Sequence, residues 1–449
     1  MEAQIGMIAR MRPVIAMTRG PVARGSLQSF AIRLGGLAIS FAQGVLAGRL
    51  LGVEGYGIVS MALSLANVLA TVALLGWGPL AIKEIARLIA ARQPDLAAAF
   101  VTAGARAVCA GALVAGGLLS ASAFFGFVPD AFRAAIVVAG LTVAPVALLQ
   151  LLRGVAQGRG RVMAAQLPGE VLRPTLYVAF LAGALALQWK PDPAVLVGAL
   201  AGASTIAVAA ALRPTLRGLS LANAQWVEPT QRRRWQAESA PFFGIMLIGI
   251  LLAEITTLML GWFGTPAQTG LFQPLARLVP LMVLPAQAVA VSFAPRIADL
   301  WSQGARAQVE RLTHTFTLVT SAMTVGAVGV LILAEPFIFR AFGPDFMPGA
   351  GLLWILAIAQ LVNAASGPVG HLLAMTGHAP VALRGQLLAL ATNVCVGAAL
   401  IPSQGAQGAA IAMAVGLVLW NLALLLQVRK LLDFDPSLAS ALVALWHRR

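Results

Sequence analysis

Six charged side chains stand inside stretches otherwise built from Ala, Leu, Val and Gly: Arg33, Arg106, Glu170, Arg173, Glu254 and Arg277. A charge held in an apolar helix is expensive, so it needs a partner, a hydrated cavity or a path to a polar surface. Four arginines against two acids suit an anionic ligand. The guanidinium is a planar fork of N–H donors that grips phosphate through two parallel bonds. Arg33, Arg106 and Arg173 fall at similar depths near one side of the membrane and can together form a cationic pocket. The alternative for each is that the long side chain snorkels to the headgroups. Arg173 has a further alternative, a local i,i+3 pair with Glu170. Glu254 is the deepest acid and a candidate proton or cation carrier. Counted from their shared turn at ~1.5 Å per residue, Glu254 and Arg277 both lie roughly 10–12 Å deep, a level at which they can pair.

No other chemistry competes with these charges. His314, His371, His378 and His447 are scattered, and Cys109 and Cys395 sit far apart in apolar runs. No zinc spacing and no phosphate-binding glycine loop is present, so no metal and no cofactor is expected.

The elements that carry the charges follow from composition. Of 449 residues 59% are hydrophobic and 10% charged, with a net charge of +15 and a mean hydropathy of +0.86. A soluble domain of that length needs more charge to cover its surface. The basic residues recur between apolar stretches instead of forming one patch, which excludes a nucleic-acid partner. About 20 apolar residues cross the hydrocarbon as a helix. The expected spans are about 12: 26–50, 57–80, 97–125, 133–152, 164–188, 193–212, 239–262, 270–295, 312–334, 350–374, 380–401 and 406–428. The apolar run after the basic residues 1–25 is too long for the core of a signal peptide and reads as the first span. With that tail in the cytoplasm, the opposite side receives only Arg49, Arg133, Lys190 and Arg340 among the basic residues outside spans. The asymmetry places both termini, including residues 431–449, inside.

The longest polar connection, residues 213–238, divides the spans six and six. Leu50-Leu51-Gly52 before Gly55-Tyr56-Gly57 is weakly repeated as Leu260-Gly261 before Gly270-Leu271-Phe272. Two parallel, pseudo-symmetric six-helix lobes, 26–212 and 239–430, around a central cavity are therefore expected, the geometry of alternating access. Pro145, Pro168, Pro174, Pro280, Pro285 and Pro368 interrupt spans, where proline allows either a working bend or a static kink. Gly44 and Gly48 read as a close-packing pair, and Trp77, Trp189 and Trp262 as aromatic-belt residues at outer span ends.

Several segments, in order and at matching spans, carry a resemblance. These are Arg49 to Gly57, Arg153-Gly154 with Gln157-Gly158 and Gly160-Arg161, and Glu254 with Leu260-Gly261 and Gly270-Leu271-Phe272. Phe342-Gly343-Pro344-Asp345-Phe346 follows, then Asn393 with Ile401-Pro402 and Gly405 to Ala412. From about Ser26 to Lys430 the chain resembles the oligosaccharide-flippase (Wzx-type) branch of the multidrug/oligosaccharidyl-lipid/polysaccharide exporter superfamily. Phe272 replaces the usual tyrosine, and Glu254 stands where aspartate is common.

The resemblance implies an all-α membrane protein of MATE-like architecture in the bacterial inner membrane. It implies transport, from inner to outer leaflet, of an oligosaccharide linked by pyrophosphate to a polyprenyl lipid. Membrane lipids, a polysaccharide polymerase and glycosyltransferases are the partners it implies. Two other readings compete. A cation-coupled drug exporter of the same superfamily favours acids in its cavity, whereas arginines dominate here. A membrane glycosyltransferase or polymerase needs a catalytic cluster in a large outer loop, and every outer loop here is short; the chain is therefore not expected to be an enzyme.

Overall fold

The computed structural model describes residues 21–126, 128–219 and 228–447, without the side chains of residues 21–31, 33, 34, 285, 288, 291 and 292. Most of the basic tail 1–25, residues 220–227 of the central connection and the Arg33 side chain thus lie outside the described residues. Among the described residues every regular element is a helix.

The chain opens with α1 (Pro21–Leu74), whose helical path is broken once, at Gly52, with φ 65° and ψ −174°. Only glycine adopts that pairing without strain, so the Leu51-Gly52 step separates the first two expected spans without a loop. There follow α2 (Trp77–Ala90), α3 (Pro94–Ser122), α4 (Arg133–Gly158) and α5 (Val162–Leu167). A single π turn, Pro168–Leu172, joins α5 to α6 (Arg173–Ala186). After α7 (Pro193–Leu216) come α8 (Pro229–Phe263), α9 (Pro266–Ser302) and α10 (Arg306–Phe342). The chain ends with α11 (Leu352–Ala365), α12 (Val369–Met375), α13 (Ala379–Gln404), α14 (Ala406–Leu432) and α15 (Leu438–Trp446).

Local chemistry sets several starts. Asp192 caps α7 by accepting from the Ala194 amide ahead of Pro193. Thr265 and Gln268 form a reciprocal capping box at α9, with Pro266 in the first turn where its missing N–H costs nothing.

Each expected span lies mostly on helix, with breaks at 75–76 inside 57–80 and at 366–368 inside 350–374. Among the described residues, by length and composition alone, eight helices suffice to cross a membrane, or nine if the bent pair α11 and α12 is one span. The difference from twelve has three sources: α1 carries two spans, α5–α6 is interrupted by the π turn, and α9 is not among the eight. Large apolar side chains such as Leu187 (80% exposed), Leu333 (77%) and Phe124 (75%) point outward. A soluble surface does not tolerate so many, whereas lipid does.

Helices before residue 217 pack chiefly on one another, with α4 seated on α3, α7, α2 and α1. Those after residue 228 do likewise, α13 on α14 and α9 on α10, while α1 also packs on α8 and α9 across the two groups. The groups share one apolar core that includes Leu50, Tyr56, Met61, Leu260, Phe272 and Phe342 and reaches Leu88 and Trp235 beside the basic loops. At the basic end, α9, α10, α12 and α14 have a separate core around Ile297, Phe316, Leu372 and Val428.

Trp77 departs from the aromatic-belt expectation. It is 1% exposed, stacked against Phe100 and Trp235 at 5.2 and 6.5 Å. Gly104 makes the space: a Cβ there would lie 2.8 Å from the indole. Trp189 and Trp262 are about half exposed, as a belt requires.

Candidate functional site

A cavity of about 1330 Å³ lies between the helix groups. One wall comes from α1, α2, α4, α5, α6 and α7, the other from Met246, Glu254, Gln273, Arg277, Pro280, Leu284 and Gln287 of α8 and α9. It runs from Ala47 and Tyr56 toward Ile82 and Gln157 at the basic ends of α2 and α4.

At the far end the cavity stops against a seal of small residues and aromatic rings. A methyl group at Gly57 would overlap the Pro266 carbonyl, and one at Gly270 the Val53 carbonyl, so the backbones of α1 and α9 touch there. Tyr56, Phe342 and Phe346 stack beside this contact at 5.5–6.0 Å between centroids. Gly48 faces Phe342 and Phe346, while Gly44 faces Arg277 and Tyr56. The Gly44/Gly48 pair therefore serves close packing, as expected, and also admits a cation.

Arg277 sits directly inside the seal. Its Nε donates to Tyr56 Oη at 2.7 Å, and its Nη1 to the Ser40 carbonyl at 2.7 Å and to Ser40 Oγ at 3.0 Å. It forms no ion pair among the described residues. Glu254 accepts from Ser64 Oγ at 2.6 Å and Asn67 Nδ2 at 3.1 Å. The expected Glu254–Arg277 pair is thus absent. α8 and α9 each pack more on α1 than on each other, and both side chains bond to α1.

The Glu170–Arg173 pair is also replaced. Glu170 Oε1 lies 2.9 Å from Arg153 Nη2 of α4, and Arg173 has no ion pair or hydrogen bond among the described residues. The π turn between Pro168 and Leu172 is the cause. Pro168 and Pro174 remove backbone donors, the wider turn rotates the register, and the i,i+3 geometry of a regular helix is lost. Arg106 is exposed on α3 and does not line the cavity. Of the six charges singled out from sequence, Glu170, Arg173, Glu254 and Arg277 meet in one cavity.

Sequence reasoning missed Arg153, which reads as a loop residue but lines the cavity. It also missed Tyr56 and Tyr177, the two tyrosines of the entire chain, both of which line it. That scarcity was the available signal, as were Gln43, Gln150, Gln166 and Gln287, amides within or beside apolar spans that all face the cavity.

The basic end carries its own cross-links. Glu84 of α2 accepts from Trp235 Nε1 of α8 at 3.0 Å and pairs with Arg87 at 2.6 Å. Lys83 pairs with Glu238 at 3.2 Å. Burial alone would raise the Glu84 carboxyl, but the Arg87 and Trp235 bonds outweigh it and hold it below the usual range.

The match to known proteins follows the same helices. The family model described as polysaccharide biosynthesis protein covers residues 22–301. The chain belongs to the polysaccharide biosynthesis protein family. Residues 22–301 take in the whole cavity lining, Gly36 to Gln287. The probable low-salt glycan biosynthesis flippase Agl15 of Haloferax volcanii is 23% identical over 168 residues, 37% of this chain and 36% of that protein. The match therefore spans about a third of the relative. Among solved structures, an inward-facing MATE family multidrug transporter of the MOP superfamily superposes with a TM-score of 0.71 at 15% identity, over 90% of this chain and 98% of that one. Lipid II flippase MurJ in an inward closed conformation gives 0.68 at 11% identity, over 90% and 87%. The fold of this polysaccharide biosynthesis family member is thus MATE-like, as expected.

Proposed function

We propose that this chain is a flippase that carries a polyprenyl-pyrophosphate-linked oligosaccharide from the inner to the outer leaflet of the cytoplasmic membrane. The observation that carries the reading is the cavity's charge. It holds Arg153, Arg173 and Arg277 against Glu170 and Glu254, and Glu170 is already occupied by Arg153. Free cationic capacity inside an apolar shell attracts an anion, and a guanidinium binds phosphate through two bonds at once. The cavity is also large and polar enough for a saccharide, while the tail of the lipid can remain among the helices' apolar flanks. Family membership and the names of the relative and of MurJ support the same class of cargo.

The helices work, in this reading, as two six-helix lobes, 26–212 and 239–430, on either side of residues 213–238, with both termini cytoplasmic. Alternating access then means opening the glycine and aromatic seal around Gly57 while closing the basic end. Glu254 is the coupling candidate: it joins α8 to α1 through Ser64 and Asn67 and has no cation partner among the described residues. A proton or cation held there would alter those two bonds together. The polymerase and glycosyltransferases would act before and after the transport step.

Removal of the chain from its native cells tests the reading. Pyrophosphate-linked saccharide should accumulate and stay hidden from a membrane-impermeant lectin until inner leaflets are opened. Lipid-linked saccharide reaching the outer leaflet at the normal rate without the chain would contradict the proposal.

A further inference from the structure

At the basic end of the first helix group, the turn between α4 and α5 carries Arg159 and Arg161, and α7 ends with Arg213 and Arg217. Arg159 Nη1 donates to the Thr215 carbonyl, and Arg161 Nη1 to the Pro214 carbonyl at 2.6 Å. Both Nη2 atoms then converge on one oxygen, the Arg217 carbonyl, at 2.7 and 2.9 Å. These bonds cap the negative end of the α7 dipole. Capping, however, needs no second cation on an oxygen already held, and the arrangement keeps two like charges side by side.

No carboxylate answers them. None of the four arginines has an ion pair among the described residues, and residues 220–227, which follow Arg217, contain no acid. Burial, and then Arg161 beside it, make the Arg159 guanidinium less basic than usual, with no negative group opposing either. Each guanidinium of the pair keeps further N–H donors after its two carbonyl bonds. An anion seated there would meet those donors and relieve the repulsion between the cations. None of the four arginines lines the cavity, so this charge is separate from the transport site.

The surroundings select the form of the anion. α5 begins directly after Arg161 and packs on α7. Met163 and Leu167, one turn apart on α5, are 47% and 37% exposed, and Leu212, beside Arg213, is 43% exposed. Charge thus borders open apolar surface, as a headgroup borders acyl chains. A soluble phosphate would use the arginines and leave the apolar rim bare. A zwitterionic lipid would bring its own cation toward the pair. An anionic phospholipid answers both the charge and the rim.

We propose that Arg159 and Arg161, with Arg213 and Arg217 beside them, bind the phosphate of an anionic phospholipid whose chains lie against α5 and α7. The lipid then staples the α4–α5 turn to the end of α7 from the leaflet on the basic side. This site stands independently of the flippase reading.

The test titrates the purified full-length chain in detergent with dioleoylphosphatidylglycerol or dioleoylphosphatidylcholine and counts bound lipid by native mass spectrometry. Phosphatidylglycerol should bind about 10-fold tighter. The double variant Arg159→Gln, Arg161→Gln should lose that preference. Arg232→Gln with Arg233→Gln removes as much charge from exposed positions on α8 and should keep it. If the first double variant does not fold, Arg161→Gln alone leaves Arg159 to cap α7 and should cut the preference about threefold. The site is overturned if the two lipids bind equally, if the preference survives loss of the arginines, or if the α8 variant abolishes it as well. Displacement of phosphatidylglycerol by glycerol phosphate at comparable concentration would overturn it too, because the site would then be one for soluble phosphate.

Discussion

Replacing Arg277 by alanine is expected to reduce export at least ~10-fold, the loss that follows from removing a single charged contact of about 1.4 kcal/mol. The protein should still insert and accumulate. The guanidinium makes three hydrogen bonds, two to Ser40 and one to Tyr56, and supplies a cation just inside the sealed end. Bonds to a charged group contribute about 1.5–3 kcal/mol each and do not sum, so some loss of stability will accompany the loss of transport. Arg277→Lys separates the two, because lysine keeps the charge but not the planar fork. Its export should fall between the alanine variant and the unaltered chain. Since Glu254 bonds to Ser64 and Asn67 and not to Arg277, the reversed pair Glu254→Arg with Arg277→Glu should rescue nothing. Normal export by Arg277→Ala, measured at equal membrane abundance, would remove Arg277 from the mechanism.

Gly57→Ala should be among the most damaging single methyl groups in the described residues, with Gly270→Ala. The added carbon would overlap the Pro266 carbonyl and crowd the Gly270 amide, and neither is a side-chain tip that can swing aside. Overpacking a tight contact costs about 1–3 kcal/mol, and backbone on both sides leaves little room to relax. Thermal unfolding in detergent should shift down by several degrees, whereas Gly183→Ala, with nothing within 4 Å of its added carbon, should not move it. The seal should also leak. In a variant without Cys109 and Cys395, a cysteine at Thr269, a position with 0% exposure, should react with an impermeant maleimide only when Gly57→Ala is present. Unchanged stability and labelling would show that the α1–α9 contact is not a seal.

Much of this architecture is written in the sequence in a form that simple physics can read. Helical spans follow from apolar length, and the break at Gly52 sits in the Leu50–Gly57 segment because a left-handed φ needs glycine. Intramembrane charge pointed to Arg173, Arg277, Glu170 and Glu254, and the cavity gathers all four. What sequence did not yield was partnership. Depth along a helix is one coordinate and can be counted; the face a side chain presents is another, and it depends on tertiary packing. Glu254 and Arg277 count to the same depth in sequence but turn to α1, and a single π turn hands Glu170 from Arg173 to Arg153. Uncharged cavity groups such as Gln166, Thr142 and Tyr177 raise no alarm in an apolar helix, so their common wall became visible only in three dimensions.

The central claim is that the arginine-lined cavity moves a pyrophosphate-linked sugar across the bilayer. Its most direct test is reconstitution of the purified chain into sealed liposomes carrying a fluorescent, short-chain prenyl-pyrophosphate-linked saccharide, with an impermeant quencher added outside. The account predicts that quenching will run from roughly half the label to nearly all of it, at a rate that rises with protein and collapses in Arg277→Ala. Quenching that stays at the outer-leaflet fraction with the chain present, or that proceeds equally with Arg277→Ala, would contradict it.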